Sequence, residues 1–420
     1  MIPVFRLAAK SLASRRVTVL LTVFAISVSV SLLLGVERLR TEARASFSNT
    51  VSGTDLIVGA RSGSVPLLLY SVFRIGNATN NISWRSYQDI AANPDVAWTI
   101  PVSLGDSHRG FRVLGTNTDY FRHFRYARTR TLEFAAGKPF DDVFDAVLGA
   151  QVASALGYNV GHSIVIDHGV GSVGFASHKD KPFRVSGILK RTGTPVDQTV
   201  HVSLAGIEAI HIDWRSGRPI PGLSIDAERV RRMNLQPEAI TAFFVGLKSR
   251  FDTFEMQRRV NTYADEPMLA ILPGVALHEL WSLMGTAESA LSIITIFIVM
   301  AGLIGMVTML MSSLNERRRE MAILRSVGAR PHHVFSLFVL EAAFVSVLGA
   351  VLGVILLYAG MITVLPVIES RYGLFIPINP LSINEWMYLG AVVAAGILAG
   401  IAPAIAAVRM SLADGMVVRS

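Results

Sequence analysis

Long charge-free stretches alternate along this chain with segments of ordinary polarity, and the alternation sets its organisation. Residues 17–36, VTVLLTVFAISVSVSLLLGV, hold no charged side chain. A hydrocarbon core about 30 Å thick is crossed by about 20 apolar residues of helix, so this run predicts a first transmembrane helix. It is longer than the apolar region of a removable signal peptide, about 7–15 residues. Further charge-free runs lie at 289–314, 342–366 and 387–408. Between the first and second runs, apolar alternation predicts strands at Asp55–Ala60, Gly110–Leu114, Ser163–Asp167, Phe183–Leu189, Thr199–Leu204 and Phe243–Leu247. Helical spacing predicts helices at Ser83–Ala92, Gln151–Leu156 and Phe251–Ala264. Gly and Pro clusters punctuate 191–195 and 215–222. A composition shift between Ala60 and Ile82 sets off a part next to the first span, and 215–240 reads as a small inserted lobe.

The fold class expected is an α-helical membrane domain of four transmembrane helices plus a large mixed α/β extracytoplasmic (periplasmic) domain inserted between the first and second helices. The expected divisions are a lead-in at 1–16, spans at 17–36, 288–314, 334–366 and 386–408, the outer domain at 37–287, loops at 315–333 and 367–385, and a tail at 409–420.

Composition agrees. Hydrophobic residues are 51% and charged residues 17% of the chain, against about 25% charged in soluble domains, which excludes an ordinary soluble enzyme. The absence of cysteine excludes disulfides, thiolate metal sites and a cysteine nucleophile. The net charge of +8 is explained by where the basic residues lie, so no nucleic-acid partner is expected. Arg6, Lys10, Arg15 and Arg16 precede the first span without an acid. Arg317, Arg318, Arg319, Arg325 and Arg330 outnumber Glu316 and Glu320 in 315–333, and Arg409 and Arg419 stand against Asp414 in the tail. The loop 367–385 has Arg371 against Glu369 and Glu385. Basic flanks stay in the cytoplasm, which puts both termini on the cytoplasmic side of the inner membrane and the large domain on the other, although Arg38, Arg40 and Arg44 run against this trend. Phe5, Ala8, Ala9 and Leu12 share one face of a lead-in helix suited to the headgroup layer; a plain basic flank describes 1–16 equally well. Gly349-x-x-x-Gly353 and Gly396-x-x-x-Gly400 are spaced for close helix contact.

Enzymatic motifs fail one by one. Gly137-Lys138 is followed by Pro139, which cannot supply the hydroxyl a P-loop places on magnesium. The chain is therefore expected to bind no cofactor and to be no enzyme, any ATP being used by a partner subunit. Gly169–Gly174 fits G-x-G-x-x-G, but the following Phe-Ala-Ser-His-Lys-Asp-Lys-Pro is a poor helix, so a hairpin turn is expected instead of a dinucleotide site. His162, His168, His178, His201 and His211, with Asp167 and Asp180, are metal-ligand types without a recognised spacing. They are expected to be solvated turn residues, with no metal site.

The segment NERRREMAILRSVGAR, 315–330, is charged, helix-forming and short, and Gly328-Ala-Arg-Pro331 stops it. Met321, Ile323, Leu324 and Val327 are apolar residues expected at aqueous exposure, the pattern of a helix docked in a partner's groove. Here the chain resembles the MacB/FtsX/LolC (type VII) ABC transporter permease superfamily, whose corresponding loop reads E-R-x-x-E-I-x-x-x-R-x-x-G-A. Glu316, Arg317, Glu320, Ile323, Arg325, Gly328 and Ala329 follow it, with Met321 where Ile is usual. The resemblance extends to Leu340-Glu341 with Gly349 and Gly353, and to Pro403-Ala404 with Ala407 and Arg409, although Leu412-Ala413-Asp414 replaces the usual Asp-Pro. It also includes Leu148–Gly157 and Phe183–Leu189 of the outer domain, where His162 replaces a common acid.

The resemblance implies a permease subunit that carries ATP-driven motion to its outer domain. Glu316, Arg317, Glu320, Met321, Leu324, Arg325 and Gly328 would form the coupling helix that sits in the ATPase. The implied partners are a cytoplasmic ABC ATPase dimer, a second permease (self or paralogue), a periplasmic adaptor or carrier, and membrane lipid. The implied work is export or extraction, of an efflux substrate or of lipid or lipoprotein. The alternative is a mechanotransmission scaffold that moves no substrate but controls a periplasmic partner such as a wall hydrolase. An outer-domain metalloenzyme ranks last.

Overall fold

A computed structural model describes residues 16–127, 129–169, 176–215, 218–220, 225–316, 321, 323, 325–372 and 378–409. The chain divides into two compact units. One contains 1–42, 285–367 and 376–420, the other mainly 43–284. The lead-in at 1–15 and the tail beyond 409 lie outside the described residues.

Among the described residues, four segments are long and apolar enough to cross a membrane: Arg16–Glu42, Pro273–Leu314, Pro331–Val367 and Ile383–Arg409. They belong to helices α1 (Arg16–Thr50), α7 (Pro273–Glu316), α8 (Pro331–Tyr372) and α9 (Ile383–Ala399), the last continued by α10 (Ile401–Arg409). Three of these helices outrun their charge-free cores, because helical hydrogen bonding continues into polar flanks until a breaker intervenes. Pro273 and Pro331 begin helices, where a missing N–H costs nothing. Ser382 and Glu385 cap α9 reciprocally, each side chain accepting from the other residue's backbone N–H. The buried cluster runs through all of these helices and includes Ile26, Val30, Met306, Phe338, Val345 and Ala404.

The second unit is built on a mixed sheet. Its main strands are β1 (Leu56–Ala60), β2 (Val96–His108), β3 (Phe111–Thr116), β4 (Phe134–Gly137), β5 (Asp145–Leu148), β6 (Phe183–Leu189), β7 (Thr199–Ser203), β8 (Ala242–Leu247) and β9 (Met268–Ile271). Their order is β9-β1-β8-β2-β3-β7-β5-β6-β4. Neighbours are antiparallel except β3 with β7 and β5 with β6, which are parallel. Helices α2 (Ser64–Phe73), α3 (Trp84–Ala91), α4 (Ala150–Leu156), α5 (Leu204–His211) and α6 (Thr253–Asn261) pack against it.

Both faces of the sheet are covered. On β1, Ile57 enters one core and Leu56 and Val58 enter another; on β8, Phe244 and Phe243 divide in the same way. That is why these strands read as continuous apolar runs in the sequence. The Gly169–Gly174 motif lies between two short antiparallel strands, Asp167–His168 and Ala176–Ser177, its residues 170–174 falling outside the described ones.

Candidate functional site

The small residues singled out in the sequence lie at helix seams of the bundle. A Cβ on Gly349 would meet Ile26, and one on Gly353 would meet Val30 and the carbonyl of Ser27, so α8 closes directly on α1. Gly396 and Gly400 do the same for α9 and the break before α10, against Ser346 and Ala342 of α8. Close backbone approach is the main source of helix affinity where lipid offers no hydrophobic drive.

A buried ion pair joins two helices of this bundle. Arg38 of α1 and Glu385 of α9 are both buried, with Nε–Oε1 at 2.9 Å and Nη2–Oε2 at 3.1 Å. Arg38 also donates to the carbonyl of Pro380 and lies over the Tyr358 ring, 5.3 Å from its centroid. The same Glu385 carboxylate accepts from Ser382 N at 2.6 Å. A buried pair this well bonded meets the condition under which charge is tolerated away from water. Glu341 is also buried, within α8.

The segment joining α7 to α8 is described in part. Arg317, Glu320 and Leu324 lie outside the described residues, and of Glu316 the backbone ends α7. Met321 departs from expectation. It is 3% exposed and belongs to the buried cluster of the bundle itself, so it anchors the segment inward and presents nothing to a partner. Ile323 and Val327 are 56% and 82% exposed. Arg325 is half-buried. Gly328 takes φ +98°, the left-handed conformation that suits glycine after a helix, with its N–H donating to the Arg325 carbonyl. Pro331 then begins α8.

The outer histidines other than His162, which is exposed beside a turn, also depart from expectation. His178 and His201 are fully buried, and His108 is buried as well. His201, on β7, donates from Nδ1 to the Val147 carbonyl and packs beside Tyr120; burial pushes its pKa down to about 3. His162 stacks on Tyr158. His168, His178 and His211 converge, with one nitrogen from each lying within 4.8 Å of the others. The sheet brings them together. His168 is the register partner of Asp106 at the end of β2, His178 follows the return strand of the hairpin, and His211 ends α5. Sequence spacing carries no sign of this, because strand pairing and a helix end create the proximity. Burial lowers the pKa of His178 to about 4, helped by the neighbouring His211, whereas a hydrogen bond to Asp106 raises that of His168.

The chain matches the FtsX-like permease C-terminal family over residues 292–412 and the MacB-like periplasmic core domain over residues 19–263. It belongs to the MacB/FtsX-type family of ABC transporter permeases. This permease is 26% identical over 282 residues to the macrolide export ATP-binding/permease protein MacB of Burkholderia cenocepacia, covering 63% of this chain and 36% of the relative. It is 24% identical to the lipoprotein-releasing system transmembrane protein LolC of Neisseria meningitidis, covering 52% and 49%. It is also 24% identical to an uncharacterized ABC transporter permease of Methanocaldococcus jannaschii, covering 49% and 47%. The permease thus spans half or less of the length of these relatives. The periplasmic region of MacB from Actinobacillus actinomycetemcomitans superposes with a TM-score of 0.34 at 10% identity, over 55% of this chain and 94% of that one. Like its family, the permease is a multi-pass membrane protein.

Proposed function

We propose that this permease is the membrane subunit of an ABC transporter whose 315–330 segment takes up the motion of a separate cytoplasmic ATPase dimer. The helix bundle, paired with a second permease (a copy or a paralogue), passes that motion to the periplasmic domain. The work done is export, or extraction of a lipid, lipoprotein or efflux substrate from the inner membrane or periplasm. One observation carries this reading: between α7 and α8 the chain anchors Met321 in the bundle and leaves Ile323 and Val327 bare. An exposed apolar pair beside basic residues suits a partner's groove better than water. Met321 would make the segment move as part of the bundle, as transmission requires. Both termini would then be cytoplasmic, consistent with the basic flanks.

The test is Val327→Asp in the full chain, co-expressed with candidate ATPase subunits encoded beside it. The expected result is loss of ATPase co-purification with unchanged membrane insertion, because an 82% exposed side chain supports no core. Glu320→Lys should act in the same direction, and Arg371→Glu, near the far end of α8, should not. Val327→Cys should resist an impermeant thiol reagent in intact cells, whereas Phe251→Cys, at a position 96% exposed in the outer domain, should react. Wild-type ATPase binding by Val327→Asp together with inverted labelling would overturn the reading.

A further inference from the structure

The histidine cluster of the outer domain is not used by the function proposed above, and its geometry is that of a metal centre. Asp106 Oδ1, His168 Nδ1 and His211 Nε2 form a triangle with edges of 3.1, 3.2 and 3.7 Å. Donor atoms about 2.0–2.2 Å from a tetrahedral ion stand roughly 3.3 Å apart, so three of four vertices are already in place. His178 supplies the fourth. It is wholly buried, and neither of its ring nitrogens has a hydrogen-bond partner among the described residues. Buried imidazoles seldom leave both nitrogens unpaired, because the desolvation is then uncompensated.

We propose that Asp106, His168, His178 and His211 bind one divalent transition-metal ion of the zinc class. The donor set selects the ion. Three imidazoles and one carboxylate suit zinc and its neighbours, whereas calcium and magnesium take oxygen ligands. The surroundings orient the ligands in the manner of a metal site. His211 Nδ1 lies 2.8 Å from the Ile207 carbonyl, which fixes the proton on Nδ1 and turns the Nε2 lone pair toward the cluster. The ring of His178 is held against Trp214, with centroids 4.1 Å apart. Lys181 is completely buried and bonds Asp180 and Asp213 at 2.7 Å each. These carboxylates stand two residues from His178 and His211, so the lysine staples together the two segments that carry those ligands. A hydrogen-bonded network without metal would account for His168, His211 and Asp106 but not for His178. A bound ion would cross-link β2, α5 and the Asp167–Ser177 hairpin, segments far apart in the sequence.

The experiment uses the full chain in detergent, purified through a tag without histidine, stripped by a chelator and titrated with Co²⁺ alone. One equivalent is expected to bind, with the intense visible absorption of a four-coordinate site, and Zn²⁺ should displace it. His168→Ala and His211→Ala change partly exposed side chains, and each is expected to weaken Co²⁺ binding by about tenfold or more. Zn²⁺ should raise the melting temperature of the wild type but not of these variants. Melting without metal confirms that they fold, and His168→Asn replaces His168→Ala should that variant not melt cooperatively. His332→Ala with His333→Ala removes the other adjacent histidine pair and should leave the titration unchanged. No stoichiometric Co²⁺ uptake by the wild type, or undiminished uptake by folded His168 and His211 variants, overturns the site. Neither readout involves the ATPase, so this result and that of the Val327→Asp test stand independently.

Discussion

The helix bundle and the outer domain each bury a salt bridge, and they do so under opposite rules. In the bundle, apolar side chains such as Phe24, Ile296 and Ile355 face outward and small residues face inward. Cohesion there comes from close backbone approach, and Arg38–Glu385 is enclosed on both sides, each side chain about 5% exposed or less. In the outer domain, apolar side chains fill both faces of a sheet, and the buried Lys181 shares its charge between an enclosed Asp213 and a half-open Asp180. The comparison teaches that the same chemical pair carries different risk. Loss of Arg38 leaves Glu385 without access to water, whereas loss of Asp180 leaves Lys181 still paired with Asp213.

The largest expected effect tests that difference. Arg38→Ala strands Glu385 and should lower the stability of the bundle by about 3–5 kcal/mol, with most of it regained in Arg38→Met/Glu385→Met. Asp180→Ala should cost less, since Asp180 is half-open and Lys181 keeps its bond to the enclosed Asp213. Thermal melting in micelles ranks the three, and equal losses for Arg38→Ala and Asp180→Ala would break the comparison. A middle-sized effect concerns packing. Gly353→Leu drives a side chain into Val30 and the Ser27 carbonyl and should cost about 1–3 kcal/mol. Gly360→Leu, on the same helix but facing open space, should be near neutral. The smallest is a slope. His201 is held neutral by burial, its pKa near 3 against an ordinary 6.5. Unfolding releases it to take a proton, so its stabilisation is present above pH 6.5 and is lost as pH falls toward 3. Outer-domain stability should therefore fall on acidification, and His201→Leu should flatten that fall by up to about 1.4 kcal/mol per pH unit. An unchanged slope would show that the ring is solvated in the folded state.

Much of this architecture was legible before any coordinates. A bilayer demands about 20 apolar residues in succession, so the four spans stand out, and strands such as Phe183–Leu189 and Thr199–Ser203 show plainly because both their faces are buried. The longest strand, Val96–His108, does not show in the pattern because Pro101, Gly105 and Asp106 interrupt it. Its neighbours tolerate the interruption through a register shift between Leu104 and Ser107. Asp145–Leu148 is too short to declare itself. Met321, expected at the surface, turns inward because the buried cluster that receives it draws residues from every helix of the bundle, most of them outside its own segment. The convergence of His168, His178 and His211 was invisible for the related reason that no single element holds any two of them.

The double duty of Glu385 also bears on how this chain tolerates changes of length. Its carboxylate caps the first turn of α9 and grips Arg38 on another helix, so its direction is fixed by its distance from Ser382. One residue added within that turn would swing the carboxylate by about 100°, breaking the cap and the grip together. Residues added before Ser382 would leave both intact. Insertions and deletions accumulating across related sequences should therefore collect upstream of that serine and spare the three residues after it.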